Sequence, residues 1–181
     1  MEVLFSDTFD LTKKKALGYY KNQVITAYVW VSNVTKLYDI SVVLLWNTSL
    51  INFDIQQVTI NQAGFPMPWA KMQQYFTTYQ DGQGNVWDAF AFYVERPYEK
   101  PGLKGTFWIL KIDFKVKCVM DAEGLPVNAS TPIFLVRGLT YLSMCGTIYW
   151  AEPQLTLSDA TYYWRPIRYD FSQNGHVGVE D

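Results

Sequence analysis

The chain has 181 residues, 15 Lys+Arg against 17 Asp+Glu, one His and two Cys, and 17% of it is aromatic. A single core at this length buries roughly 70% of the unfolded surface, so folding requires neither metal nor disulfide. A net charge of −2 with no basic block beyond Lys13-Lys14-Lys15 excludes an electrostatic footprint for nucleic acid or anionic lipid, and one His with two Cys excludes zinc-finger and Cys-His cluster chemistry.

From the N-terminus, Met1, Val3 and Phe5 alternate with Glu2 and Leu4, and a charged stretch follows over 10–15. This predicts a short apolar strand on a tether (residues 1–20), ahead of one domain over 21–181. Such a strand is buried either on an edge of its own sandwich or in a neighbouring subunit as a donor strand, with Met1, Val3, Leu4, Phe5 and Phe9 as the contact residues. The first residues show no basic start, long apolar middle or small-residue cleavage site, so the chain is intracellular or a processed form.

Period-two alternation predicts strands over 24–30 and 38–46, turns at Ser32-Asn33 and Trp46-Asn47, and a strand near 52–60. Residues 68–77, with Trp69, Met72, Gln73, Tyr75 and Phe76, break the alternation and predict one short helix over an end of the fold. After a turn at Asp81-Gly82 comes a strand carrying Val86, Phe90, Phe92 and Val94, then a turn at Pro101-Gly102. The clearest strand covers 106–118, where Trp108, Leu110, Ile112, Phe114 and Val116 share one face and Lys111, Asp113, Lys115 and Lys117 the other. Further strands fall near 131–136, 139–148 and 160–169. The apolar run over 40–46 is strand-sized, far short of the roughly 20 residues that span a bilayer. The fold class is therefore all-β, a two-sheet antiparallel β-sandwich.

Residues 21–50, through Val31-Ser32-Asn33-Val34, Leu37-Tyr38 and Trp46-Asn47-Thr48-Ser49-Leu50, resemble the opening of a cohesin-like domain. In that family a strand ending Val-Ser-Asn-Val is followed by Leu-Tyr and by a Tyr-Asp-Pro-Ser-Leu turn. Residues 102–117 are similar to the family's Gly-rich approach to a Leu-Ile-Thr-Phe-Lys-Val strand, and Ser130-Thr131-Pro132-Ile133-Phe134-Leu135 resembles the strand after it. The matches frame roughly residues 20–136, in family order. The resemblance implies a jelly-roll sandwich of secreted and cell-surface proteins, among them dockerin-binding scaffold modules and stand-alone archaeal surface proteins.

Candidate sites are sparse. Three sequons, at Asn33, Asn47 and Asn128, are glycosylation acceptors if the protein is extracellular. Asp81, Gln83, Asn85 and Asp88 place oxygen ligands in a Gly-rich turn as calcium loops do, against the alternative of an ordinary hairpin; calcium is the one cofactor candidate. Cys118 and Cys145 either form a disulfide or serve as two buried thiols. Trp69, Tyr75, Tyr79 and Trp87 at one end, and Tyr162, Tyr163 and Trp164 at the other, are candidates for stacking on carbohydrate, whereas Trp30, Trp46 and Trp108 alternate with core residues. For catalysis the chain offers only His176 in a polar tail and Glu95 and Glu99 around Pro97, with no nucleophile-base pair. The expected function is a non-catalytic extracellular structural subunit that self-assembles into a filament or surface layer by N-terminal donor-strand addition. On that reading, deleting residues 1–9 leaves a folded monomer. The alternative is a carbohydrate- or dockerin-binding cohesin-like module.

Overall fold

The computed structural model describes residues 1–5, 14–49, 51, 53–117, 119, 121–123, 125, 127–144, 148–150 and 155–166. Twelve strands run in chain order: β1 (Glu2–Phe5), β2 (Lys15–Gly18), β3 (Val24–Leu37), β4 (Asp39–Asn47), β5 (Phe53–Ile60), β6 (Lys71–Gln80), β7 (Val86–Glu95), β8 (Leu103–Val116), β9 (Ala129–Leu135), β10 (Tyr141–Met144), β11 (Ile148–Trp150) and β12 (Ala160–Trp164). There is no helix among the described residues, and so none long and apolar enough to cross a membrane.

The strands form two sheets packed face to face. One has the order β1-β3-β8-β5. In the other, β4 is central: β7 and then β6 lie on one side of it, while β9 and β10 both pair along its other side. From there β9 leads to β12 and β2, and β10 leads to β11. All these pairs are antiparallel except β12 with β2, which run parallel.

The core follows from alternation. Ile112, Phe114 and Val116 of β8 face Ile40, Val42, Leu44 and Trp46 of β4, all fully buried, and the rings of Trp46, Phe53 and Phe114 pack 5.3 to 6.5 Å apart. The opposite face of β8 carries Lys111, Asp113 and Lys115, with Lys117 just past its end, as the sequence leads one to expect; Trp108, expected on the core face, is shifted off it by a bulge at Ile109 and packs on Tyr28, its ring 5.6 Å away.

Three expectations are corrected. Residues 71–80 of the predicted helix region are instead strand β6, paired with β7 along its whole length from Lys71↔Glu95 to Gln80↔Val86. Tyr, Phe and Thr make up half of this segment and favour an extended backbone, and a ready partner strand decides the matter. The expected turn at Ser32-Asn33 is a bulge inside β3: Asn33 takes a positive φ of 58°, opposite a register shift at Val34↔Gly105, where Gly105 has φ 116°.

The third correction concerns the N-terminal strand. β1 pairs with β3 of its own chain, Glu2↔Trp30 through Phe5↔Ala27, and bridges to Ser158, two residues ahead of β12 in the other sheet. Val3 and Leu4 are 0% exposed, Phe5 3% and Met1 9%. The Met1 ammonium donates to the Thr156 carbonyl at 2.8 Å, and Val3 N–H to the Ser158 carbonyl at 2.9 Å. The apolar residues expected to fill a neighbour's pockets therefore close the seam between this chain's own sheets; Phe9 lies outside the described residues. Lys15–Gly18, expected to be tether, is strand β2.

Candidate functional site

The outer face of the β6-β7-β4-β9 sheet departs from the usual polar exterior. On β4 the outward residues are Asp39, Ser41, Val43, Leu45 and Asn47; on β7 they are Trp87, Ala89, Ala91, Tyr93 and Glu95. Register aligns them in rungs: Tyr75–Ala91–Val43, Thr77–Ala89–Leu45–Phe134, and Tyr79–Trp87–Asn47. The Trp87 and Phe134 rings lie 6.3 Å apart, and Tyr75 and Tyr79 are 67% and 44% exposed. Between these aromatics stand Ala89 and Ala91, whose side chains are single methyl groups. A one-sided sheet normally wets this face with polar residues, whereas here its centre is apolar.

The face ends in a polar rung, Lys71–Glu95–Asp39–Ser143. Asp39 is only 2% exposed; Tyr98 Oη donates to its Oδ2 at 3.2 Å, while Oδ1 and the Ser143 Oγ are buried without a partner among the described residues. Burial pushes the Asp39 carboxyl up from its ordinary value, with the neighbouring Ser143 and Tyr98 hydroxyls opposing the rise and the facing Glu95 adding to it. Tyr93 Oη donates to Glu95 at 3.1 Å, and Lys71 Nζ lies 5.6 Å from the Tyr93 ring centre.

The calcium reading does not survive the geometry. Asp81 Oδ1 accepts from the Gln83 and Asn85 N–H groups, both at 2.9 Å, and Oδ2 accepts from Asn85 Nδ2 at 3.0 Å and Trp87 Nε1 at 2.8 Å. Its lone pairs are thus directed at four donors, and those bonds hold its pKa at about 2. Asp88 faces the opposite side of β7 and accepts from Thr78 Oγ1 at 2.6 Å. Asp81 is the hub of a hairpin turn, and no group of three or more His, Cys, Asp or Glu that could hold a metal occurs among the described residues.

The other candidates divide. Asn33 and Asn128 are exposed, whereas Asn47 is 5% exposed with its side-chain oxygen accepting from Ser49 N–H at 2.9 Å. Tyr162 and Trp164 are 0% exposed and belong to the core, so no carbohydrate platform forms at that end; Tyr163 is flanked by Lys15 and Arg165. Trp69 packs against the core and donates to the Phe65 carbonyl at 3.1 Å. Tyr75, Tyr79 and Trp87 do come together, on the outer face. Cys118, Cys145 and His176 lie outside the described residues. Glu95 lies on the outer face and Glu99 is exposed in the following turn. Sequence reasoning missed Val43, Leu45, Ala89, Ala91 and Phe134; the signal was that the central outward positions of β4 and β7 are apolar where those of β8 are charged.

No family model matches the chain, and no curated protein matches it. Solved structures do. The third cohesin of ScaC from Acetivibrio cellulolyticus, solved with the ScaB dockerin, is similar over 92% of this chain and 98% of its own at 14% identity, with a TM-score of 0.56. The OlpC cohesin of Clostridium thermocellum, solved with the dockerin Doc435, is similar over 92% and 94% at 8% identity, TM-score 0.57. The seventh ScaB type I cohesin of Pseudobacteroides cellulosolvens is similar over 92% and 91% at 10% identity, TM-score 0.51. The fold is a cohesin-like jelly-roll β-sandwich.

Proposed function

We propose that the chain is a non-catalytic, cohesin-like binding module whose outer β6-β7-β4-β9 face receives a protein partner of the dockerin kind. The observation that carries this reading is the apolar centre of that face, Tyr75, Trp87, Leu45 and Phe134 around Ala89 and Ala91, rimmed by Lys71, Glu95 and Asp39. An aromatic centre with a polar rim is the anatomy of a protein interface. The similar structures from Acetivibrio cellulolyticus and Clostridium thermocellum were solved with dockerins, which supports the choice of partner. Extracellular placement, with glycans at Asn33 and Asn128, belongs to the same reading. Self-assembly by N-terminal donor strand finds less support, because β1 is used within its own chain. Titration calorimetry against a panel of dockerin modules tests the proposal. Binding of at least one, weakened about tenfold or more by Trp87→Ala and Phe134→Ala but unaffected by Lys115→Ala on the far sheet, is expected. No binding across the panel, or binding insensitive to the outer face, overturns it; retention on polysaccharide lost with Tyr75→Ala and Tyr79→Ala would favour a carbohydrate instead.

A further inference from the structure

The two flanks of the sandwich are built differently. On one, β1 seals the seam by bonding to β3 and to Ser158. On the other, β5 and β6 each pair with one strand only, and an open groove of ≈ 600 Å³ lies between them. β5 is guarded as natural edges are: a register shift between Ile55 and Gln57 and the ion pair of Asp54 with Lys117 at 2.8 Å interrupt it. β6 has no such guard. All ten residues are exposed, including Met72 (42%), Tyr75 (67%), Phe76 (51%) and Tyr79 (44%), the pairing is regular, there is no proline, and the single charge is Lys71.

Hydrogen-bond parity identifies which main-chain groups are free. Asp81 N–H donates to the Asn85 carbonyl at 3.0 Å, continuing the β6–β7 register as a bonded pair. Odd-numbered residues of β6 therefore bond β7, and the N–H and C=O groups of the even-numbered residues from Met72 to Gln80 point to the open edge. Among the described residues nothing pairs with them.

We propose that this edge pairs with β6 of a second copy, antiparallel across a two-fold axis at Phe76, to make a dimer with one sheet running through both chains. Only a register centred on Phe76 uses all five free residues of both strands, Met72 with Gln80, Gln74 with Thr78 and Phe76 with itself, giving about ten main-chain hydrogen bonds. The same register sets Lys71 of one copy opposite Asp81 of the other at both ends, and no like charges meet. Centred on Tyr75 instead, the pairing leaves Gln80 unused and loses that charge match. Phe76, 51% exposed in the single chain, meets its own copy at the centre of the seam, while Tyr75 and Tyr79 stay on the outer face. Such an interface is isologous and closes at two copies. It also places the two outer faces side by side, so that one particle presents two of them.

Light scattering with sedimentation velocity on the full chain, over roughly a 100-fold range around about 10 µM, is the test. The expected particle has twice the 21.0 kDa of the chain and dissociates on dilution. Gln74→Pro removes an edge N–H that β7 does not use, and Phe76→Lys sets two like charges together; each is expected to give monomer with an unchanged far-ultraviolet dichroism spectrum. Phe76→Cys is expected to cross-link to its own copy under oxidation, beyond the wild-type background of Cys118 and Cys145, because a bonded pair holds its Cα atoms about 5.5 Å apart. A wild-type monomer throughout the range, larger open-ended assemblies, or a dimer that survives Gln74→Pro would overturn the proposal.

Discussion

Removing residues 1–5 separates the two possible uses of the N-terminal strand. A donor strand is dispensable for the fold of the chain that donates it, whereas β1 as observed contributes four nearly fully buried apolar side chains and two bonds that tie the sheets together at Ser158. At the lower end of 1.5–3 kcal/mol per buried side chain, Met1, Val3, Leu4 and Phe5 amount to about 6 kcal/mol, and allowing for partial burial in the unfolded chain leaves about 4–5 kcal/mol. Domains of this size hold about 5–15 kcal/mol in total, so the truncated chain is expected to lose its cooperative transition or to keep only a small part of it. Leu4→Ala is the milder form of the same perturbation and is expected to cost about 2–5 kcal/mol. Urea titration followed by tryptophan fluorescence measures both, with the slope of the transition compared to detect loss of two-state behaviour. A chain lacking residues 1–5 that unfolds within about 1 kcal/mol of the full one would return the strand to the role of a donor.

Two further outcomes follow from the titrating groups. The Asp39 pKa is raised above its ordinary 3.8, so between that value and the folded pKa the native state holds more protons than the unfolded one. This part of the stability is complete below 3.8 and is lost as pH rises through the folded pKa; Asp39→Asn should abolish the loss and raise the urea midpoint at neutral pH, and identical pH profiles for the two proteins would count against it. Asp81 behaves oppositely: its stabilisation is present above the ordinary carboxylate range and lost as pH falls through about 2. Asp81→Ala is expected to speed hydrogen exchange at the Gln83 and Asn85 amides and the Trp87 indole by about tenfold. Added calcium is expected to leave those rates unchanged in the wild type, and calcium-dependent protection would restore the metal reading.

The strands most readable in the sequence are those with one wet face. β8 alternates apolar with charged residues because one side meets the core and the other water, and the period alone identifies it. β4 is readable as a strand, but its outward Val43 and Leu45 blur the alternation, and that blur falls on the candidate face. Asn47 shows the limit of short motifs: the sequon is intact, yet the residue ends a central strand and is buried in the turn that follows it. Likewise Asp81 has calcium-loop spacing, but spacing cannot tell whether a carboxylate's lone pairs are left open for a cation or filled by the loop's own N–H groups.

β6 misled for a more instructive reason. Met72, Tyr75, Phe76 and Tyr79 stand at i, i+3, i+4 and i+7, the spacing of one apolar helix face. In an extended chain the same spacing divides evenly between two faces, Met72 and Phe76 toward the core side, Tyr75 and Tyr79 outward. Among the described residues only the Phe76 ring meets the core, 6.3 Å from Trp46 and still 51% exposed, while Tyr75 and Tyr79 stand open on the outer face. With a partner on the outer face and a second copy along the edge, every one of the four rests against something. On these two proposals, the pattern that imitates a helix belongs to a strand with two contacts, one across its face and one along its edge.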